Sequence, residues 1–339
     1  MIDFLSIQPN ELNTGQQLLQ EELVKRNWQA QVPYAGCPHI FIRRPNDEKS
    51  MHIFSTTPPT TTYAAGSMAN DKFVTHRVLE TINIKQLPTM IADEAMVGDD
   101  QLMDFLNEMH RVVVKPIDGG HGKGITVGVS DQASLNEAIS HAVGFTKSIR
   151  KVVVQKQYEH KVILDIRIAC INYEFVAATH RTPAAVVGDG KSTIRQLIAA
   201  ENESDKRGEP YRAPLAFINV DAAEKYLGSK IDEVIDDGVT FHVLGVANYG
   251  AGGEIIDITD DIPEWMIQSA IEAARALELP VCGVDFMLAA TPRKDSTEKD
   301  LDAVVVEVNK CPSLAIHDRP TKGKPRGAVR RYVDYLATL

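Results

Sequence analysis

Three side chains near the C-terminal end of the sequence have the types and spacing to bind a divalent cation. Asp285 lies in the apolar run VCGVDFML, and Glu307 and Asn309 lie in a second run, VVVEVN, with a polar stretch between the two. Side chains two residues apart on an extended strand share a face, so Glu307 and Asn309 point the same way. Two carboxylates and an amide on neighbouring strands would make a hard oxygen-donor site, suited to Mg²⁺ (or Mn²⁺) bridging nucleotide phosphates. Taken alone, these residues read equally well as a hairpin with a solvated acidic edge. A second signal upstream favours the cation.

That signal is VVVKPIDGGHGKGITVGV, which begins at Val112. A β-branched run ends at Lys115-Pro116, passes through Gly119, Gly120, Gly122 and Gly124, and returns to β-branched sequence at Ile125. Glycines let backbone N–H groups approach phosphate oxygens with no side chain in the way. Lys115, His121 and Lys123 add positive charge to the same place. The order is strand, loop, strand. A Walker A loop needs a following helix and a Ser or Thr after its lysine, and a dinucleotide fingerprint also needs the helix; neither pattern fits.

The elements that must hold these groups can be read from periodicity. Residues 2–7 read as a strand, and Thr14 with Gln17 as the capping box of a helix that buries Leu18, Leu19 and Leu23. HIFIRRP and MHIFSTTP read as paired strands, and TTPPTTTYAAGS as a turn-rich boundary. Helices are predicted from about Asn70, over 100–109 and over 135–143. KVVVQKQY, DIRIACIN and YEFVAATHR follow as strands. A helix beginning near Ser192 and another with Pro263 in its first turn lead to the Asp285 strand. The TPRKDSTEKD stretch is expected to be an exposed hairpin loop.

Bulk composition bounds the class. The 339 residues are 44% hydrophobic and 24% charged, as in an ordinary soluble globular protein with room for two or three packed lobes. A net charge of −10 argues against nonspecific binding of nucleic acid or anionic membrane. Cys37, Cys170, Cys282 and Cys311 are widely spaced with no CxxC, which points to free thiols and away from zinc. The N-terminus has neither a basic region nor a long apolar stretch, so the expectation is a cytoplasmic protein with no signal peptide and no membrane span.

Several segments together resemble the ATP-grasp carboxylate–amine ligases, in particular the ATP-grasp region of cyanophycin synthetase and the glutathione-synthetase half of bifunctional glutathione synthetases. They are NDK at residues 70–72, VVVKPIDGGHGKGITV, RTPAAVVGDGKSTIRQLI from Arg181, ANYGAGGEIIDITD from Ala247, GVDFM, EVNKCPS and HDRPTKGKPR from His317. The resemblance implies an α+β ATP-grasp fold: an N-terminal α/β lobe over 1–68, a lid subdomain over 69–152 and a metal-binding C-terminal subdomain over 153–339. It implies ATP and Mg²⁺ as cosubstrate and metal, and amino acids or short peptides as substrates. A homo-oligomer is left open. Neither the Mur-ligase-like half of cyanophycin synthetase nor the glutamate–cysteine ligase half is expected, so a stand-alone enzyme making one ligation is implied.

The resemblance also implies roles. Lys72 and Lys115 would neutralise ATP phosphates, and the 119–124 loop would cover them as a lid. Gln155, where relatives usually have Glu, and Lys156 would contact adenine or ribose. Arg181 would steady an acyl phosphate or tetrahedral intermediate. Arg167 would bind a substrate carboxylate or pair with Asp165; both readings stand. Asn248, Gly252 and Gly253, with the turn at Gly188–Gly190, would shape the substrate pocket. Two departures fall on the substrate side: similar sequences usually have an arginine near Leu244 and Ser-Thr at Gly250-Ala251. Two alternatives to a ligase are an ATP-grasp kinase that stops at a phosphoester and a nucleotide-binding module without turnover.

Overall fold

The computed structural model describes residues 1–339 apart from positions 121, 211, 214 and 246–248 and the side chain of Tyr249. Two of the expected site residues, His121 and Asn248, therefore lie outside the described residues.

The first four strands form an antiparallel sheet: β1 (Ile2–Asp3), β2 (Gln29–Val32), β3 (His39–Arg43) and β4 (Met51–Phe54). β1 is shorter than expected because Asp3 caps a 3-10 turn over Phe4–Ser6. Helix α1 (Thr14–Lys25) buries Leu19 and Leu23 against this sheet. Its capping box sits one residue earlier than the sequence suggests. Asn13 accepts from the Gln16 amide at 2.9 Å, and the Gln16 side chain accepts from the Asn13 amide at 3.2 Å. Asparagine serves this position as well as threonine does.

The Pro- and Thr-rich boundary ends sooner than expected. Thr62 caps α2 (Tyr63–Asn70), and Asp71 then caps α3 (Lys72–Thr81), so one expected helix is two. A second antiparallel sheet follows in the order β5-β8-β6-β7, from β5 (Thr89–Ala92), β6 (Val112–Pro116), β7 (Thr126–Val129) and β8 (Val152–Lys156). α4 (Asp100–Met109) and α5 (Gln132–Val143) cover one face and bury Val112, Val114, Val152 and Val154. Strand alternation sends Val113, Lys115 and Gln155 to the other face.

β9 (Leu164–Ile171) and β10 (Glu174–Arg181) open the third sheet. The chain then leaves it through β11 (Ala185–Val187), α6 (Ile194–Asn202), β12 (Arg207–Gly208), β13 (Leu215–Ala216), α7 (Val220–Leu227) and β14 (Thr240–His242), a segment with a core of its own. It re-enters at β15 (Ile255–Asp257), runs through α8 (Glu264–Ala276) and adds β16 (Val281–Leu288), α9 (Glu298–Leu301) and β17 (Val304–Asn309). The strand order is β15-β10-β9-β16-β17, all antiparallel. Pro263 is the N-cap of α8 and the acidic residues before it form a separate turn over Thr259–Asp261. α8 buries one face of this sheet, taking Ile166, Ile168, Val284 and Phe286. The opposite face carries Asp165, Arg167 and Asp285.

The chain closes with α10 (Ala315–Asp318) and α11 (Ala328–Thr338). Asp318 accepts from the Ala328 and Val329 amides at 2.6 and 2.9 Å, so a carboxylate ten residues upstream caps α11. That helix buries Tyr332, Val333 and Leu336 in the core of the N-terminal sheet. Among the described residues no helix is long and apolar enough to cross a membrane.

Candidate active site

The polar faces of the second and third sheets, with the N-terminal lobe beside them, enclose a cavity of about 1040 Å³. Lys72, Lys115, Arg167, Arg181, Asp285, Glu307 and Asn309 all line it, as do Gly119, Gly120, Gly122, Lys123, Gln155 and Lys156. Strand alternation places Lys115, Gln155, Arg167, Arg181 and Asp285 on the faces turned away from the helix layers, while Lys72 comes from the start of a helix and Gly119, Gly120, Gly122 and Lys123 from a loop.

Lys72 is the first residue of α3. Its amide donates to the Ile117 carbonyl at 3.0 Å and its ammonium to the Gly119 carbonyl, so it anchors the entry to the glycine loop. Glu307 is 4.0 Å from the same ammonium. Lys115 projects from β6 and donates to Gln155 Oε1 at 2.9 Å, while Gln155 Nε2 donates to Thr89 Oγ1 at 2.8 Å. Gln155 therefore lines the cavity, as expected, and also holds Lys115, a contact the sequence did not suggest. Burial pulls the Lys115 ammonium down to about 8, with Lys72 adding to the effect and Glu307 opposing it. Burial also lowers Lys72. Because Gln155 is neutral, it orients Lys115 without supplying a balancing charge.

The 119–124 loop joins β6 to β7 as a hairpin, the strand–loop–strand order expected. Asp118 ties its base, accepting from the Lys147 and Ser148 amides at 2.9 and 2.7 Å. Gly122 and Gly124 have φ of 74° and 73°, where a side chain is strained.

On the third sheet, β16 and β17 pair with Asp285 opposite Glu307 and Gly283 opposite Asn309. A bulge between Asp285 and Phe286 leaves Val306 without a partner, so Val306 and Glu307, adjacent in sequence, both line the cavity. Simple alternation would have put Val306 in the core. Asn309 Nδ2 donates to Asp285 Oδ2 at 3.2 Å, leaving its carbonyl oxygen as an acceptor.

Asp285 is the hub of an ionic network. Arg167 grips it with two bonds of 2.7 and 2.6 Å, and Arg181 adds a third of 3.0 Å. Arg181 also pairs with Asp165. Of the two readings of Arg167, ligand or partner of Asp165, the structure gives a third: it pairs with Asp285. Burial would raise the Asp285 carboxyl, but the two guanidinium charges outweigh it and hold it below its usual range. Asp165 goes the other way. Burial pushes it up to about 6 in spite of Arg181.

A hard divalent cation fits this donor set in part as it stands. Glu307 and the Asn309 carbonyl oxygen are turned to the cavity, and the Lys72 ammonium approaches Glu307 no closer than 4.0 Å. Asp285 Oδ1 accepts one bond, from Arg167, and keeps a lone pair for a cation, whereas Oδ2 is occupied by Arg167, Arg181 and Asn309.

Gly252 and Gly253 are buried and are not among the described residues that line the cavity. A Cβ on Gly252 would lie 2.9 Å from Ile218 Cγ1, so this glycine serves packing in the 184–244 segment. Gly188 does the same against the Asp236 carbonyl. Leu244, where similar sequences have arginine, belongs to that segment's core. Sequence reasoning missed Leu87, Val113 and Met287, which with Tyr158, the end of the KVVVQKQY run expected to line an adenine pocket, give the cavity apolar walls. Met287 was legible, since it shares a face with Asp285. The others carry no chemical signature.

The arrangement has counterparts. The crystal structure of a bifunctional glutathione synthetase from Pasteurella multocida superposes with a TM-score of 0.67 at 21% identity, covering 98% of this chain and 44% of that one. The chain has the ATP-grasp fold. Residues 80–205 match the family model for the ATP-grasp domain of prokaryotic glutathione synthetase. Cyanophycin synthetase of Geminocystis herdmanii is 34% identical over 243 residues, which is 70% of this chain and 27% of that protein. The bifunctional glutathione biosynthesis protein of Clostridium perfringens is 28% identical over 306 residues, 87% of this chain and 38% of the relative. This chain therefore spans between about a quarter and two fifths of the length of these relatives.

Proposed function

We propose that this ATP-grasp protein is an ADP-forming carboxylate–amine ligase acting on an amino acid or short peptide. The observation that carries the reading is the convergence, in one cavity, of two lysines, a glycine loop, an oxygen-donor set and two arginines. In this reading adenine lies between Leu87, Val113, Tyr158, Met287 and Val306, and Lys156 and the backbone of β8 meet its edge. Lys72, Lys115, Lys123 and the amides of the 119–124 loop neutralise the phosphates. Glu307 and Asn309, with Asp285 behind them, would hold Mg²⁺. Bound there, the cation would supply charge neutralisation between the phosphates.

The substrate carboxylate attacks the γ-phosphorus and ADP leaves. An amine then attacks the acyl carbon, phosphate leaves, and the amine's proton passes to solvent or to a base. Arg181 is placed to steady the oxyanion of the second step, and its own geometry is fixed by Asp165 and Asp285. Asp285 and Arg167 are thus positioning residues as much as ligands. The same reading divides the chain at 1–68, 69–152 and 153–339, with ATP between the last two parts.

The test is nucleotide analysis with a panel of amino acids and dipeptides. ADP and phosphate should form only with both Mg²⁺ and a carboxylate present, along with an amide product by mass. AMP and pyrophosphate would overturn the reading. A stable phosphoester with no amine consumed would favour the kinase.

A further inference from the structure

Among the described residues three carboxylates line the cavity: Asp165, Asp285 and Glu307. Two of them belong to the cation site. Asp285 is held by Arg167, Arg181 and Asn309, and Glu307 stands 4.0 Å from the Lys72 ammonium. Asp165 has no part in that set. No histidine is among the described residues that line the cavity, and Lys72, Lys115, Lys123 and Lys156 come from α3, the glycine loop and the second sheet, on the phosphate and nucleotide side.

Asp165 sits near the start of β9, directly opposite Arg181 on β10. Both bonds that it accepts from that guanidinium end on Oδ1, the Nε bond at 3.0 Å. Among the described residues none donates to Oδ2. The side chain is 22% exposed where it lines the cavity, against 4% for Asp285, so the second oxygen is open to a ligand.

Arg181 is the group placed to hold the oxyanion of the tetrahedral adduct. In that adduct the oxyanion and the incoming nitrogen are bonded to the same carbon, so a carboxylate beside the guanidinium is also beside the nitrogen. An amino group carries a proton at pH 7 and has no lone pair for attack until it loses it. A proton acceptor at the point of attack removes that obstacle. Burial suits Asp165 to the task, because it lifts the carboxyl from its ordinary 3.8 to about 6 in spite of Arg181.

We propose that Asp165 is the general base of the second step, binding the ammonium of the incoming amine through Oδ2 and taking its first proton. The proposal rests on the ligase reading above and deepens it: the acceptor is a primary amine that arrives protonated, as the α-amino group of an amino acid does. The first proton passes to Oδ2 and the nitrogen lone pair forms the C–N bond. The carbon–oxygen bond to phosphate then breaks, with its electron pair leaving on phosphate. The second nitrogen proton leaves with phosphate, and Asp165 returns the first to water through the cavity. Throughout, Oδ1 keeps Arg181 on the oxyanion.

Hydroxylamine separates this role from a structural one. It is a free base at neutral pH, so it attacks an acyl phosphate without first giving up a proton, and it leaves a hydroxamate. Asp165→Asn keeps an oxygen for the Arg181 bonds and removes the base. With ATP, Mg²⁺ and a carboxylate from the panel, amide formation with an amino acid should fall at least ~10²-fold in kcat, the lower end of what a general base supplies. Hydroxamate formation from the same carboxylate should stay close to wild type, and so should the melting temperature. At saturating ATP the variant's amide rate should climb toward the wild-type rate between pH ~7 and ~9, because the acceptor then loses its proton in solution. The charges that act most strongly on this position, Arg181 from β10, Asp285 from β16 and Arg167 from its own strand, are the same in the variant. Asp165→Ser, which offers Arg181 a smaller acceptor, is read in the same way if the asparagine variant does not fold.

Equal loss of amide and hydroxamate in a folded variant would mean that Asp165 serves only to hold Arg181; the proposal would be overturned and the ligase left standing. So would it be by wild-type amide formation in the variant, or by a wild type that makes hydroxamate but no amide with any amino acid. No hydroxamate and no ADP from any carboxylate would overturn the ligase reading, and this proposal with it.

Discussion

Replacing Gln155 with glutamate would put a carboxylate 2.9 Å from the Lys115 ammonium, where the wild type has a neutral amide oxygen. The wild-type lysine is half-buried and its pKa is about 8, so its charge is present below that pH and lost above it. The free enzyme's ATP kcat/KM, and its affinity for the nucleotide, should therefore fall above pH ~8. At this separation, with an effective dielectric of ~20, the gross attraction in the variant is about 6 kcal/mol. Burying the new carboxylate takes back several kcal/mol, leaving a net coupling of about 1–3 kcal/mol. At about 1.4 kcal/mol per pH unit, the descending limb should move up by roughly 1–2 units. Affinity at pH 7 should drop by about 10-fold, because the new carboxylate would draw the lysine charge away from phosphate.

Stability should respond with its own sign. In the wild type the folded-state value lies below the ordinary lysine value of 10.5, so the unfolded chain binds more protons between about 8 and 10.5. The apo protein should gain stability as pH rises through that window, and Gln155→Glu should flatten the gain. Titration with a fluorescent ATP analogue from pH 6.5 to 9.5, with melting curves at the same values, reads both effects. If wild-type affinity is flat across the range, or if the variant keeps the same limb, then Lys115 does not hold phosphate or Gln155 does not set its charge.

Glu307→Gln keeps the shape of the side chain and removes its charge from the cation site; turnover should fall by at least ~10²-fold at saturating Mg²⁺ with the melting temperature little changed. Wild-type turnover in that variant would mean that the cation is held elsewhere. Gly122→Val puts a strained β-branched residue at φ 74° with nothing within 4 Å of its Cβ, so it should slow turnover at least ~10-fold and abolish ATP protection against tryptic cleavage after Lys123, with a modest fall in melting temperature. Gly124→Ala, whose Cβ would lie 2.8 Å from both Phe145 and Pro116, should lower the melting temperature as well. Full activity and unchanged protection in Gly122→Val would remove the loop from the phosphate site.

The strand–loop–strand order around the glycines and the shared face of Glu307 and Asn309 opposite Asp285 were legible because β-branched runs bound the loop and strands alternate with a period of two. α4 was legible over its full length, since Asp99 caps it and Leu102 and Leu106 mark its buried face. Other features depend on pairings that no local pattern reveals. Arg167 reaches Asp285 only because β9 and β16 are neighbours in a register that sets those two residues opposite each other. Val306 lines the cavity only because of a bulge. Gly252 and Gly253 illustrate the converse, for a glycine-rich segment that resembles a substrate loop is used in part for packing on Ile218.

The central claim is that a substrate carboxylate attacks the γ-phosphorus of ATP, and isotope transfer tests it most directly. A carboxylate substrate labelled with ¹⁸O on both oxygens, turned over once with ATP, Mg²⁺ and an amine or hydroxylamine, should deliver one ¹⁸O to the released inorganic phosphate, with ADP unlabelled. Label in AMP, or phosphate released without label while product forms, would contradict an acyl phosphate and with it this account of the site.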